Sequence, residues 1–257
     1  MRVAVVSDLH ANLEAVRAVF DRIDALGIDQ VVCLGDVVGY NANPNEVVAE
    51  LRRRGIPCVQ GNHDAMAASD EPPAEFSSLA RGAILWTRRV LAPEHRRYLG
   101  TLPDRVAIGR DAVGVHGAPS HRDRYVLSVS EAVEEFEEAA ARLPRARVVF
   151  FGHTHLPIVF REHEGRVTVV WSSRSAGPGA DGGAATLDLS APGRYLVNPG
   201  GVGQPRDGFT TAPFAIYDDT TATVRIERVA YDIEACAAAI ERAGLDRRLA
   251  ERLRHGW

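Results

Sequence analysis

A chain of 257 residues with 46% hydrophobic and 25% charged residues has the composition of an ordinary globular protein and is long enough to bury a core. Its formal net charge of −4 gives no long-range attraction for nucleic acid or anionic lipid, and no apolar run approaches the ~20 residues that span a bilayer. All 30 basic residues are arginines, which excludes Schiff-base chemistry and a Walker-type phosphate-binding lysine.

The first half of the chain alternates strand and helix patterns. An apolar run over residues 3–7 predicts a strand, and helical spacing over residues 13–26 ends at Gly27. The later elements are predicted as strand 30–34, helix 45–54, strand 56–60, helices 76–91 and 93–99, strands 106–108 and 112–116, helix 130–143 and strand 147–151.

Strand patterns dominate the second half, from residue 156 to residue 229. They include a hairpin that joins strands 158–160 and 167–171 at Glu164-Gly165. The Gly-, Ala- and Ser-rich segment 172–193 predicts an exposed, mobile loop or an extended hairpin. Two helices within residues 232–255 are expected to pack against the outside of a sheet. This order predicts an α/β (α+β) fold in one domain, 1–257, with two sheets packed face to face and helices outside.

The cysteines and the N-terminus indicate a cytoplasmic protein. Cys33, Cys58 and Cys236 have no CxxC spacing, which is typical of small core side chains in a reducing compartment. The first residues enter a strand pattern directly, without a signal-peptide pattern.

Five separated clusters concentrate oxygen and imidazole groups near the ends of apolar runs. They are Asp8-Leu9-His10, Gly35-Asp36, Gly61-Asn62-His63-Asp64, Gly114-Val115-His116-Gly117 and Gly152-His153-Thr154-His155. Two divalent cations about 3.5 to 4 Å apart can clamp a phosphate ester, and they need one bridging carboxylate and neutral imidazoles. This mixture of ligands predicts a two-metal hydrolytic site and favours Mn, Fe, Zn, Co or Ni over Mg or Ca. The remaining histidines match no cluster and are expected at the surface: His95, His121, His163 and His255.

The clusters resemble the signature of the calcineurin-like metallophosphoesterase superfamily, which runs D-x-H, G-D, G-N-H-D/E, a later H, and G-H-x-H. The resemblance covers the chain from Asp8 to His155. Residues 198–206, which read N-P-G-G-V-G-Q-P-R, also resemble the compact bacterial phosphodiesterase and phosphoesterase branch. The likeness implies a four-layer β-sandwich, with two mixed sheets flanked by helices.

The same resemblance implies a role for each cluster residue. The first metal ion would be held by Asp8, His10 and His155. The second would be held by Asn62, His116 and His153, with Asp36 bridging both. His63 would protonate the leaving group or bind the transition-state phosphoryl group, and Asp64 would fix the orientation of His63. The mechanism we favour is in-line attack by a metal-bridging hydroxide, without a covalent intermediate.

Several further residues are candidates for substrate contacts. Asn12 either caps the following helix or contacts substrate, and Tyr40 either reaches substrate or packs within its loop. Residues 198–206 either form a tight turn or bring Gly201, Gln204 and Arg206 to a phosphate. Arg122 and Arg124 are weaker candidates for a second phosphate contact.

The expected substrate is a small phosphodiester or a nucleotide, because the acidic net charge argues against long nucleic acid. Alternative activities are asymmetrical dinucleoside polyphosphate hydrolysis and broad phosphomonoesterase action, including that of a serine/threonine phosphatase. A different class of protein is a metal-binding interaction scaffold, like the retromer subunit that resembles this fold and lacks a catalytic histidine. The sequence pattern does not determine the oligomeric state.

Overall fold

Two mixed β-sheets form the centre of the structure, a computed structural model that describes residues 1–176 and 183–257. The strands are β1 (Arg2–Val6), β2 (Gln30–Cys33), β3 (Arg105–Ile108), β4 (Ala112–Val115), β5 (Val148–Phe150), β6 (Ile158–His163), β7 (Arg166–Ser172), β8 (Ala185–Asp188), β9 (Arg194–Asn198), β10 (Ala212–Asp218) and β11 (Thr223–Val229). The helices are α1 (Leu13–Ala25), α2 (Pro44–Arg54), α3 (Asn62–Ala68), α4 (Ser78–Val90), α5 (Pro93–Gly100), α6 (Val129–Arg142), α7 (Ser173–Ala176), α8 (Ile233–Arg242) and α9 (Arg247–His255). Within the described part of the chain, no helix combines the length and apolarity needed to cross a bilayer.

Each sheet contains parallel and antiparallel pairs. The five-stranded sheet has the order β2-β1-β10-β11-β8, and the six-stranded sheet has the order β3-β4-β5-β9-β6-β7. Strand β1 pairs parallel with β2, and β5 pairs parallel with both β4 and β9. Because parallel strands end at the same edge of a sheet, the loops after these strands are brought together.

Side-chain alternation along the strands divides the molecule into four layers. Val3 and Val5 face the core between the sheets, where they meet Phe150 and other buried side chains. Ala4 and Val6 point the other way, into the core beneath α1 and α2. On the second sheet, Val149 belongs to the core beneath α6. Both faces of the central strands are therefore buried, which explains their continuous apolar runs, and the predicted fold class is confirmed.

Two local predictions differ from the structure. Residues 56–60 do not form a regular strand, and Cys58 makes only an isolated parallel bridge with Cys33. Pro57 contributes a carbonyl to this bridge but has no N–H to continue a ladder. Helices α8 and α9 pack with α4 and with Tyr40, instead of lying directly on a sheet.

The segment 172–193 contains two short elements where we expected a loop or extended hairpin. Helix α7 follows β7 directly, and β8 pairs antiparallel with β11 at the edge of the five-stranded sheet. Strands β7 and β8 belong to different sheets, so they do not form a hairpin with each other. Residues 177–182 lie outside the described part of the chain.

Candidate metal centre

The five polar clusters meet beside the carboxyl ends of the parallel strands. Their ligand atoms form three overlapping groups, each within 4.8 Å: Asp8, His10 and His155; His10, Asp36 and His63; and Asp36, His116 and His153. Asp36 Oδ2 lies 3.6 Å from His10 Nε2 and 3.5 Å from His116 Nε2. The Asp36 carboxylate therefore lies between imidazoles that belong to two different groups.

Three of the histidines are held with the same ring nitrogen facing inward. His10 Nδ1 donates to the carbonyl oxygen of Val38 at 3.0 Å, and His116 Nδ1 donates to that of Leu34 at 2.8 Å. His155 Nδ1 donates to the carbonyl oxygen of Gln204 at 2.6 Å. A carbonyl only accepts, so each Nδ1 carries a proton, and in the neutral form of each ring Nε2 has a free lone pair. This arrangement is typical of imidazoles that bind metals.

The inward-facing atoms form sets of acceptors without a donor between them. His10 Nε2 lies 3.1 Å from His155 Nε2, and Asp8 Oδ1 lies 3.3 Å from the same His155 atom. On the other side of Asp36, His116 Nε2 lies 3.0 Å from Asn62 Oδ1. Buried lone pairs this close repel one another unless a proton or a cation lies between them. The nitrogen and oxygen donors thus fit borderline divalent cations at both positions.

Short hydrogen bonds orient the two carboxylates. Ser7 Oγ donates to Asp8 Oδ2 at 2.7 Å, and the backbone N–H of His153 donates to the same oxygen at 3.0 Å. The backbone N–H of His63 donates to Asp36 Oδ1 at 2.9 Å, which leaves Oδ2 facing the imidazoles. Ser7 was not predicted from the sequence, where its only signal is its position directly before Asp8.

Burial and mutual charges set the protonation states at the site, and His116 differs from the other imidazoles. Burial by itself would raise the pKa of Asp36, but the surrounding histidines lower that pKa well below its usual value. Burial lowers the pKa of His10 well below its ordinary value, and it lowers the pKa of His153 to about 4. At His116 burial lowers the pKa, but the carboxylate of Asp36 outweighs this effect and raises the pKa to about 10. The carboxylates are therefore ionised, and the position beside His116 attracts positive charge.

The backbone around the ligands is strained. In residues 1–176 and 183–257, nine non-glycine residues have positive φ, and seven of them lie at this site: Asp8, His10, Ala11, Asp36, Tyr40, His153 and His155. Such conformations cost on the order of 1 to 3 kcal/mol each. Backbone hydrogen bonds between the clusters hold them, including Asp8 N–H to Gly35 O and His10 N–H to Asp36 O. The strain turns the chain sharply behind each strand, so that the ligands face one centre.

Two cluster glycines allow this close approach. A Cβ on Gly61 would collide with Asp36 Oδ1, and a Cβ on Gly152 would collide with Ser7 Oγ. The third and fifth clusters therefore begin with glycine because any side chain there would overlap Asp36 or Ser7.

His63 is positioned by aromatic packing, and Asp64 does not orient it as we expected. The His63 ring lies 4.7 Å from the Tyr40 ring and meets Phe76 edge-on at 5.2 Å, and its buried Nδ1 has no hydrogen-bond partner among the described residues. The oxygens of Asp64 accept from the backbone N–H groups of Gly61 and Val38 instead. Asp64 therefore caps α3 and fixes the loop after Asp36.

Asn12 is placed at a helix cap and away from the cleft. Its Oδ1 accepts from the backbone N–H of Ala15 at 3.0 Å, and its Nδ2 donates to the carbonyl of Gly203 at 3.0 Å. The side chain is fully buried, so no polar atom is free for a substrate.

We expect Asn12→Ala to lower the free energy of unfolding by about 1 to 2 kcal/mol, because α1 loses its N-cap. Urea unfolding followed by circular dichroism measures this change. Asn12→Ser keeps a neutral capping oxygen and should lose less. Equal stability of Asn12→Ala and the wild type would contradict the capping role.

The segment 198–206 supports His155 more than it offers backbone groups to a ligand. Gly201 packs directly against the His155 ring, and the Gln204 carbonyl accepts from that ring. Arg206 and Tyr40 do line the cleft beside the metal centre. Of the weaker candidates, Arg122 donates to Gln60 Oε1 at 2.7 Å, and Arg124 pairs with Glu135 at 2.7 Å.

The cleft has a volume of about 310 Å³ and opens onto the candidate metal centre. It is lined by Asp36, Tyr40, Asn62, His63, Glu75, Phe76, Ser77, Ala80, Asp123, Tyr125, His153, His155 and Arg206. Phe76 and Tyr125 were not predicted as cleft residues. Tyr125 is 42% exposed, and its ring centre lies 4.2 Å from that of His153. An aromatic residue in the loop after the fourth cluster is the only sequence signal for it.

Comparisons with known proteins agree with this geometry. The family model described as the calcineurin-like phosphoesterase superfamily domain matches residues 1–221. Uncharacterized protein MJ0912 of Methanocaldococcus jannaschii is 34% identical over 260 residues, which cover 98% of this chain and 96% of that protein. The crystal structure of a metallophosphoesterase from Sphaerobacter thermophilus is 36% identical, with a TM-score of 0.82 and coverage of 100% of this chain and 99% of that one. The hypothetical protein PH1004 of Pyrococcus horikoshii OT3 shares the fold, with 22% identity, a TM-score of 0.79 and coverage of 100% and 98%.

Proposed function

Because this chain belongs to the calcineurin-like phosphoesterase superfamily, we propose that it is a dinuclear-metal-dependent phosphoesterase acting on a small phosphodiester or a nucleotide. The observation that carries the proposal is the position of Asp36, whose Oδ2 lies within 3.6 Å of imidazoles from two ligand groups. A carboxylate in this position suits a bridge between two cations.

The proposed ligand sets lie on the two sides of Asp36. Asp8, His10 and His155 would hold one ion, and Asn62, His116 and His153 would hold the other. Two ions held there would supply Lewis-acid chemistry: they would polarise phosphoryl oxygens and lower the pKa of water, which is what in-line hydrolysis near neutral pH requires. Mn, Fe, Zn, Co and Ni are the cations that these donors favour.

The remaining cleft residues act on the substrate. His63 lies beside Asp36 in a ligand group and faces the cleft, so it can donate a proton to the leaving oxygen. Burial lowers the pKa of His63 to about 4, so its role as an acid depends on the negative charge of the bound phosphate. Arg206 lines the same cleft, and its positive charge contributes to the lowered pKa of His63.

A nucleotide or another small phosphodiester suits the cleft better than a phosphoprotein. Its volume of about 310 Å³ is that of a small-molecule site, and Phe76 and Tyr125 offer aromatic faces to a base. The retained His63 and the ligand groups favour an enzyme over a metal-binding scaffold.

We also propose that residues 1–257 form one domain in a cytoplasmic protein. The site draws on segments from Asp8 to Arg206, and α9 packs near it. Cys33, Cys58 and Cys236 are buried free thiols, as expected in a reducing compartment.

Removal of metal is expected to abolish hydrolysis of bis(4-nitrophenyl) phosphate. The carboxylates and imidazoles have no electrophile of their own, so the loss should be reversed by adding back Mn²⁺ or another borderline cation. The measurement is turnover before chelation, after chelation and gel filtration, and after titration with each metal, with bound metal counted by mass spectrometry.

A panel of cyclic nucleotides, dinucleoside polyphosphates and phosphomonoesters, assayed with the best metal, then ranks the substrates. Full turnover by metal-free protein would contradict the proposed function. Inactivity of the fully loaded protein on the entire panel would favour the scaffold instead.

A further inference from the structure

Two arginines from distant segments lie side by side, and one of them, Arg206, lines the cleft. Arg206 ends the segment 198–206, and Arg252 comes from the last helix, α9. Both guanidinium groups reach the same atom, Gln204 Oε1, at 3.3 Å from Arg206 and 3.5 Å from Arg252. Arg206 also lies over the Tyr40 ring, 5.8 Å from its centre, with the Tyr40 hydroxyl at 3.5 Å.

The positive charge of this pair is not balanced by a nearby anion. In the part of the chain that the structure describes, neither guanidinium has a carboxylate within 4.0 Å, and their shared acceptor is a neutral amide oxygen. Three carboxylates line the cleft. Asp36 lies between the candidate ligand groups, Asp123 pairs with Arg122, and Glu75 is exposed. Burial, followed by repulsion from Arg206, lowers the pKa of Arg252.

Two buried donors at the pair are Arg206 Nε and Gln204 Nε2. Neither forms a hydrogen bond with any residue that the structure describes. Buried donors are almost always paired in proteins, and guanidinium groups match the oxygens of a phosphate in a fork geometry. An oxyanion is the ligand that satisfies these donors and the excess charge together.

We propose that Arg206 and Arg252 bind a phosphate of the substrate other than the one that is hydrolysed. The preferred substrate would then be a nucleotide with at least two phosphate groups. This inference rests on the proposed function, because it takes the metal centre as the place of hydrolysis. Arg206 lines the same cleft as His63 and His155. A second phosphate of the same polyphosphate substrate can therefore reach Arg206 while the first lies at the candidate metal centre.

The test compares two esters with the same chromophore and nucleoside. One is the 4-nitrophenyl ester of thymidine 5′-phosphate, and the other is the γ-4-nitrophenyl ester of thymidine 5′-triphosphate. Arg252→Gln should lower kcat/KM for the triphosphate ester about 10- to 100-fold more than for the monophosphate ester, the scale of one charge-assisted hydrogen bond. Arg206→Gln should also lower the ratio of kcat/KM for the triphosphate ester to kcat/KM for the monophosphate ester. The matched control is Arg247→Gln, an exposed arginine of the same helix, which should leave the ratio unchanged.

A binding measurement separates this inference from the proposed function. Calorimetry with inorganic tripolyphosphate and metal-free protein should show binding that Arg252→Gln weakens at least about tenfold. If Arg252→Gln stays active and the ratio of its kcat/KM values for the two esters equals that of the wild type, the role of the arginine pair is overturned and the proposed function is not. Equal losses of activity on both esters are one form of this result. Inactivity of the metal-loaded wild type on both esters would count against the proposed function, and calorimetry would still decide about the pair.

Discussion

Replacing Asp36 by asparagine is expected to lower turnover of an aryl phosphate diester by about 10³- to 10⁵-fold. A cation pair supplies several kcal/mol of transition-state stabilisation, and each 1.36 kcal/mol corresponds to a tenfold change in rate. Asparagine keeps the size of the side chain and can still accept the backbone N–H of His63. The loss therefore comes from the missing negative charge between the two imidazole groups.

The measurements for Asp36→Asn are kcat with saturating Mn²⁺ and the number of metal ions bound per chain. We expect the wild type to bind two ions and the variant to lose at least one. Asp21→Asn, on the exposed side of α1, is the matched control and should behave like the wild type. Near-normal turnover of a folded Asp36→Asn protein would contradict the bridging role.

Replacing His63 by alanine is expected to slow turnover by about 10²- to 10⁴-fold, the usual scale for acid catalysis. Metal content should stay at the wild-type level, because His63 lies outside the two proposed ligand sets. The result separates two possible roles, since the ligand atoms of His63, His10 and Asp36 lie within 4.8 Å of one another. A loss of one bound ion would make His63 a ligand, and normal turnover would remove it from the mechanism.

Leaving-group dependence gives His63→Ala a sharper readout. A proton donor matters most for a poor leaving group, so the variant should lose more activity on an alkyl ester than on a 4-nitrophenyl ester. His163→Ala, at the end of β6, is the control histidine and should change neither rate.

The convergence of the candidate ligands could be predicted from the sequence because their clusters lie near the ends of apolar runs. Continuous runs such as residues 3–6 indicate strands buried on both faces, and parallel strands bring the loops at their carboxyl ends to one edge of a sheet. Asp8, Asp36 and His153 lie together for this reason. The four layers result from the same alternation of strands and helices.

The contacts that surround the ligands could not be predicted in the same way. Asp64 comes directly after His63 in the chain, yet its oxygens bind Gly61 and Val38. Tyr125 and Arg252 reach the site through loop and helix packing, which no local periodicity encodes. Local patterns identify the ends of strands, whereas these contacts depend on how distant segments pack.

The candidate metal centre is built from residues that are far apart in the sequence, and this determines when it can form during folding. His10 Nε2 and His155 Nε2 are 145 positions apart in sequence and 3.1 Å apart in space. During synthesis, the nascent polypeptide cannot complete the proposed ligand sets until the second sheet has docked on the first. Loading of the proposed ions would thus be a late step of maturation. An ion bound there would join the two halves of the sandwich and stabilise the finished protein by mass action.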